Sequence, residues 1–409
     1  MPLPTPLHPR TAPLNQPHEW RQWSGYLGAG MYEMHHEREY WAIRNSAALI
    51  DVSPLFKYEI TGPDAARLVQ RIITRDITAC RIGQILYSPW CDDAGHVIDD
   101  GTIARLGESH YRVTAADPSY RWFTDAARGL DVTIRDVSTQ LAALALQGPN
   151  SRLILEKMTE DGGRGTGEPT ITNLQSPISN LKYYTLTQGL YRTHPLTITR
   201  TGYTGDLGYE LWIAPEHAPA LWDELLDKGD GYGILPAGLA ALDIARIEAG
   251  LVLIEVDYIS APRTFIPQQK STPFELGLGW AVKFTGGNDF IGRAPLEGGN
   301  DPQWALAGLE IDWVSLEHIY GKVGLPPQVT GRANRSSIPI YTGHRQVGYA
   351  SSHTFSPILK KYIALATLET RYAAPGTELD IEFTVEHKRE RGSARVVALP
   401  FYNPERKRK

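Results

Sequence analysis

Cysteine is nearly missing from this chain: its 409 residues hold only Cys80 and Cys91, eleven positions apart. That excludes a disulfide framework, offers no zinc-type spacing, and fits a reducing cytoplasm. No apolar run approaches the ~20 residues of a bilayer-spanning helix, so no membrane protein is expected. The start, MPLPTPLHPRTAPLNQPHEW, puts Pro and His where a signal peptide needs an apolar core, and no export is expected. An excess of one charge is lacking too. Lys and Arg number 41 against 46 Asp and Glu, a net charge of −5, which argues against nucleic acid as the main partner. The short tail Arg406-Lys407-Arg408-Lys409 reads as a solvated terminus. HExxH, CxxC and acidic-cage patterns are absent, so no metal is implied. Neither a GxGxxG after a strand nor a GxxxxGK[ST] occurs, which counts against nucleotide binding.

What is present is globular: 42% hydrophobic and 10% aromatic residues, enough at roughly 150 residues per domain for two or three domains. Residues 1–19 carry six prolines and read as an extended arm. A helix is expected over Glu37–Ala48, a strand over Lys57–Thr61, and a helix over Ala65–Ile73 opened by Pro63-Asp64. Gln84–Trp90 and Val97–Leu106 read as a hairpin about the turn-forming Cys-Asp-Asp-Ala-Gly-His. A strand at Tyr111–Thr114, a helix near Ser119–Ala127, and strands at Leu130–Val137 and Leu141–Gln147 follow. Glu160–Pro169 reads as a flexible loop. Strands are then expected at Tyr183–Leu186, Leu196–Arg200 and Gly208–Ile213, with helices at His217–Lys228 and Pro236–Gly250, the last stopped by Gly250. Beyond about Asn300 strands dominate, as in a small all-β domain. The chain is α+β with no solenoid repeat.

Several stretches, in order, resemble one family. Asn45-Ser46-Ala47-Ala48-Leu49-Ile50-Asp51-Val52-Ser53, Gly95-His96-Val97-Ile98-Asp99-Asp100 and Thr201-Gly202-Tyr203-Thr204-Gly205-Asp206-Leu207-Gly208-Tyr209-Glu210 are similar to segments of the glycine-cleavage T-protein (aminomethyltransferase) superfamily. Leu146-Gln147-Gly148-Pro149, Arg246–Leu251, Asp289–Arg293 and Ser356–Lys361 add to the match, which runs from about residue 30 to residue 403. The resemblance implies a three-domain ring, two related α/β domains plus a C-terminal β-barrel, around an opening that holds tetrahydrofolate. Residues 1–300 would form the folate-binding region, as interleaved subdomains of roughly 1–55 with 140–245 and 56–139 with 246–300; residues 301–409 would form the barrel.

Asp99 and Asp100 are neighbours on a strand, so only one of them can face a given pocket. The resemblance selects Asp100, beside folate N5 and N10. Alternation puts Tyr209, Leu211 and Ile213 on one face and Glu210 with Trp212 on the other. The resemblance gives Glu210 to the pterin, where two carboxylate oxygens can accept the ring N–H and NH₂ donors. It makes Tyr203 a wall of that site and Val113 and Leu55 folate contacts, although a turn at Gly-Tyr-Thr-Gly and a core role for the two apolar residues explain them equally well.

Two departures bear on the branch. True T-proteins carry an Arg in the helix before Asp243, and this chain has Leu242, which cannot stand in for a guanidinium. Gly28–Tyr32 and Trp41–Ala47, with the Gly-His-Val-Ile-Asp-Asp-Gly hairpin, look more like the tetrahydrofolate-dependent O-demethylases of vanillate and methylgallate. In those enzymes a tyrosine matching Tyr32 lies at the substrate, and a second active-site tyrosine also falls on Leu242. The expectation is a cytoplasmic tetrahydrofolate-dependent demethylase. It would move a methyl from a small methoxylated aromatic donor to folate N5, with Tyr32 assisting the leaving group. His96, His35 and His36 are further candidates for proton transfer, and Trp41, Trp90, Tyr258 and Trp280 could cage a cationic donor. The alternatives are the aminomethyltransferase of glycine cleavage, which needs a lipoylated carrier protein, and a non-catalytic folate-binding protein. The last lacks its KGC-x-x-G-Q-E signature here.

Overall fold

A sheet whose middle strands are buried on both faces forms one half of the computed structural model. The structure describes residues 1–159, 169–284, 288–298, 301–329 and 331–409, so all but the last residue of the expected loop at 160–169 lies outside it. The seven strands run in the order Ile171–Thr172, Leu186–Tyr191, His194–Thr199, Gly208–Ile213, Ala142–Gln147, Ala47–Asp51 and Ile234–Pro236, antiparallel except for the last pair. Residue size decides what covers each face. Leu144 and Leu146 point to a core shared with helices Ser151–Thr159 and Ala218–Gly229. The alternate Ala143 and Ala145 are small enough to admit helix Leu239–Glu248, through Ala241, Ile244 and Ala245. That helix ends at Gly250, whose φ of 67° closes the C-terminal turn; Leu251 N–H donates to the Arg246 carbonyl at 2.9 Å.

The second sheet has five antiparallel strands in the order Ile85–Cys91, Val97–Gly107, His110–Ala115, Phe56–Thr61 and Thr133–Asp136. One face buries Tyr58, Ile103 and Val113 beneath helices Ala65–Ile72 and Tyr120–Ala126. The other meets the first sheet, where Ile85 N–H donates to the Tyr184 carbonyl and Leu186 N–H to the Gly83 carbonyl. Six strands between Trp304 and Val397 close into a barrel filled by Leu309, Ile340, Val347 and Ile381. The whole is the α+β, three-domain architecture expected. No helix among the described residues is long and apolar enough to cross a membrane.

Five local expectations are corrected. Residues 1–19 are not an extended arm: His8–Leu14 is a helix with Pro9 in its first turn, where the missing N–H costs nothing, and the preceding Leu7 is fully buried. The helix from Glu37 stops at Asn45, and Ala47 already belongs to a strand. The strand expected at Tyr183–Leu186 begins only at Leu186, because Tyr184 takes a φ of 59° that breaks the extended path. The basic tail is not simply solvated. Arg406 donates from Nε and Nη2 to the buried Asp206 at 2.6 and 2.8 Å. In the strand-rich C-terminal part, Trp313–Gly321 is a helix capped by Asp312, whose carboxylate accepts from Ser315 N–H at 2.9 Å.

Candidate active site

The hairpin Ile85–Cys91/Val97–Gly107 separates the two neighbouring aspartates by strand alternation. Asp99 is fully buried and accepts three backbone N–H groups, from Asp100 at 2.8 Å, Ala116 at 3.0 Å and Asp117 at 2.9 Å. It holds the chain where the strand His110–Ala115 ends. Asp100 faces the other way and accepts two phenols, Tyr87 Oη at 2.6 Å and Tyr258 Oη on the opposite oxygen. Burial pushes the Asp100 carboxyl up, and the two phenol donors pull it part of the way back. Burial and the Asp100 charge raise both phenols well above their ordinary range, so both remain protonated donors.

Glu210 projects from the face of its sheet opposite Tyr209, Leu211 and Ile213. There it accepts Thr201 Oγ1 at 2.8 Å and Thr199 Oγ1 at 3.4 Å. Burial raises its carboxyl, and the two hydroxyls moderate the rise. It lines a cavity between the two sheets, closed on the far side by Thr102, Arg112 and Thr114. The cavity measures about 10 Å³, roughly the room of one water. Arg112 donates to Glu59 through Nη2 at 3.2 Å, while its buried Nε has no hydrogen-bond partner. One face of the cavity thus offers the Glu210 acceptor and the other the polar side chains of Thr102, Arg112 and Thr114.

Tyrosines connect the two acids. Tyr87 lies within electrostatic reach of Asp100, Tyr184 and Tyr203, and Tyr184 within reach of Glu210. Tyr203 is half-buried, donates to the Val252 carbonyl, and packs in one apolar cluster with Leu242, Trp23 and Trp41. The half-buried Leu55 lies in the turn joining the two sheets, its carbonyl accepting from Lys57 Nζ at 2.7 Å. Val113 sits in the core of the second sheet, while its neighbours Arg112 and Thr114 line the cavity. Tyr32 is not brought to Asp100. It is 3% exposed, packs 6.5 Å from the Trp222 ring, and belongs to the core on the face of the sheet away from Glu210. His96 lies beside Asp92 in the turn, and His36 is held by the Gly331 carbonyl at 2.6 Å.

The reading from sequence missed Tyr87, Thr199, Thr201 and Arg112. The first had a signal. With Pro89 opposite Asp100 in the ladder, Tyr87 must share the Asp100 face. Among the described residues no group of three or more His, Cys, Asp or Glu is placed to hold a metal.

Two sheets that bury hydrogen-bonded carboxylates, with a barrel appended, define the architecture. The comparisons make this specific. Residues 11–286 match the family described as the GCVT N-terminal domain, and residues 323–403 match the glycine cleavage T-protein C-terminal barrel domain. The chain is 33% identical over 375 residues to the trimethylamine-oxide aldolase of Ruegeria pomeroyi, covering 90% of itself and 43% of that protein. It is 32% identical over 372 residues to an aminomethyltransferase of Bacillus cereus, covering 90% of itself and 89% of the relative. The solved aminomethyltransferase T of Bartonella henselae has the same fold, with a TM-score of 0.77 at 23% identity over 98% of both chains. The chain therefore belongs to the aminomethyltransferase (glycine-cleavage T-protein) family, and is by family a folate-dependent one-carbon transferase.

Proposed function

We propose that this chain is a tetrahydrofolate-dependent demethylase that takes a methyl group from a small, methoxylated aromatic donor. The observation that carries the reading is the pairing of Asp100 with two protonated phenols, Tyr87 and Tyr258; a second acid, Glu210, lines the cavity between the sheets. The acid suits a pterin: Glu210 can accept its N–H groups, with Arg112 on the opposite wall of the cavity. Because the cavity holds about one water as it stands, entry of the ring requires the two sheet faces to part. Tetrahydrofolate, when bound, supplies the nucleophilic N5 that accepts the one-carbon group. Asp100 orients that amine, Tyr203 walls the site and Leu55 is a folate contact, while Val113, also assigned to the folate, lies in the core behind Arg112 and Thr114.

A methyl ether leaves only if its oxygen is protonated or hydrogen-bonded, an effect worth about 10²–10⁴ in rate. Tyr32 is the residue assigned to that step; Tyr87 and Tyr258 commit their single O–H groups to Asp100 and hold its carboxylate in place. The division into a folate-binding region over 1–300 and a barrel over 301–409 is part of the same reading. So are a small-molecule donor as partner and the cytoplasm as location.

A second reading, aminomethyl transfer from a lipoylated carrier protein, is favoured by the relatives of that name that match over most of both chains. Against it stands Leu242, buried among apolar side chains where that chemistry needs a cation. Incubation with tetrahydrofolate and a panel of O-, S- and N-methyl compounds, with mass detection of 5-methyltetrahydrofolate, tests the first reading. The trimethylamine-oxide relative makes N-methyl compounds an essential arm. Methylene-tetrahydrofolate formed only with the loaded carrier would replace the first reading by the second.

A further inference from the structure

An aromatic shelf lies beside Asp100. The half-buried Tyr87, whose phenol donates to Asp100, stacks on Trp280 with ring centroids 6.1 Å apart and planes 18° from parallel. Trp280 is 53% exposed, far more open than an indole usually is in a folded chain. The Arg75 guanidinium lies 5.5 Å from the centre of the indole ring. Among the described residues that guanidinium has no carboxylate in ion-pair range and no hydrogen-bond acceptor. Contacts therefore run without a break from Asp100 through Tyr87 and Trp280 to a cation with no counter-charge. Arg75 and Glu210 also both lie within electrostatic reach of Tyr184. The support beneath the shelf is rigid. Thr74, fully buried, donates from Oγ1 to the Ala281 carbonyl at 3.0 Å and lies 3.2 Å from Ser88 Oγ. Its carbonyl accepts Lys283 N–H at 3.0 Å. Thr74, Ser88 and Ala281 are the chain neighbours of Arg75, Tyr87 and Trp280, so interior bonds set the three exposed groups side by side.

We propose that Trp280 and Arg75 bind an aromatic carboxylate, its ring on the indole and its anion on the guanidinium, beside the Asp100 site. The proposal rests on the folate-dependent reading above and deepens it. An exposed indole offers a flat apolar face for offset stacking of a second ring. The guanidinium fork matches the two oxygens of a carboxylate. An arginine already paired with an acid would have to break that pair first, and Arg75 has none to break. The same charge disfavours a cationic methyl donor caged by Trp280, because two positive charges would meet over one ring. Two ligands carry the required chemistry, the benzoyl-glutamate tail of the folate and an aromatic acid serving as methyl donor.

Calorimetry on the whole chain separates them, using tetrahydrofolate, 6-methyltetrahydropterin (which lacks the benzoyl-glutamate), 4-methoxybenzoate and 4-methoxybenzyl alcohol (which lacks the carboxylate). If the tail occupies the shelf, Arg75→Gln weakens tetrahydrofolate about tenfold and leaves the pterin unchanged. If a donor occupies it, the same variant weakens 4-methoxybenzoate to that extent and spares the alcohol. Trp280→Leu must weaken the same carboxylate that Arg75→Gln weakens. Should Trp280→Leu disturb Tyr87 and so the pterin, Arg75→Gln alone decides, since its side chain has no hydrogen bond among the described residues to lose. If both carboxylates bind Arg75→Gln and wild type to within about twofold, the proposal is overturned, while pterin binding to the wild type keeps the folate reading intact. If neither folate compound binds the wild type but 4-methoxybenzoate shows the loss, the folate reading fails and the shelf stands. If neither carboxylate binds the wild type, the proposal fails whatever the pterin does.

Discussion

The molecule buries carboxylates in two contrasting ways. Around helix Leu239–Glu248 each acid is answered by a guanidinium: Glu248 by Arg44 at 2.6 Å, Asp206 by Arg44 and Arg406, Asp257 by Arg246. Between the sheets, Asp100 and Glu210 are answered by hydroxyls alone, from Tyr87, Tyr258, Thr199 and Thr201. An acid matched to a guanidinium has its charge neutralised and its lone pairs filled, so it ties elements together. An acid held by neutral donors keeps open lone pairs for a ligand, and burial raises its pKa. The first kind is architecture and the second is chemistry.

Breaking the first kind should cost the most. Arg44→Met strands the buried Glu248 without its cation while Asp206 keeps Arg406, and loss of one partner of a buried pair costs about 3–5 kcal/mol. Urea unfolding should show that loss, and a change below about 1 kcal/mol would remove the distinction drawn here. Within the aspartate pair the contrast sharpens. Asp100→Ala should lower turnover by about 10²–10⁴ with little change in melting temperature. Asp99→Ala should instead cost about 1–3 kcal/mol of stability, because three backbone N–H groups lose their acceptor. Equal kinetic losses from both would defeat the alternation argument.

His353 in the barrel is a third case, a buried base with no acid beside it. Burial lowers it from 6.5 to about 4. The unfolded chain therefore takes up the proton first as pH falls. Stability is full above pH 6.5 and lost progressively down to about pH 4, by about 3 kcal/mol in all. His353→Phe should flatten that slope in pH-dependent thermal melts. The smallest effect belongs to Glu210→Gln, which keeps the shape and removes the charge. Folate affinity should fall about tenfold to a hundredfold with the melting temperature unmoved, as titration calorimetry would read directly.

Much of this was legible before any coordinates, and what was missed has a physical pattern. The hairpin at 85–107, the split between Asp99 and Asp100, and the Glu210 face all follow from strand periodicity, which is a property of the nearest few residues. Missed were elements set by distant contacts. Helix His8–Leu14 forms where Arg10 meets Asp223, and the basic tail is held by Asp206, some 200 positions away. Helix Trp313–Gly321 fell inside a region whose Gly, Pro and alternating residues all pointed to strands.

The sequence by itself determined the α+β character, the family, and which acids turn toward the same side of their strands, because side-chain direction along a strand is local. Only the tertiary structure decided which side chains answer those acids. Tyr87 and Tyr258 reach Asp100 from positions 13 and 158 residues away, and Arg335 reaches Asp243 across 92. Such pairings depend on how two sheets and a barrel pack, a long-range outcome of burying apolar faces that no local pattern of residues contains.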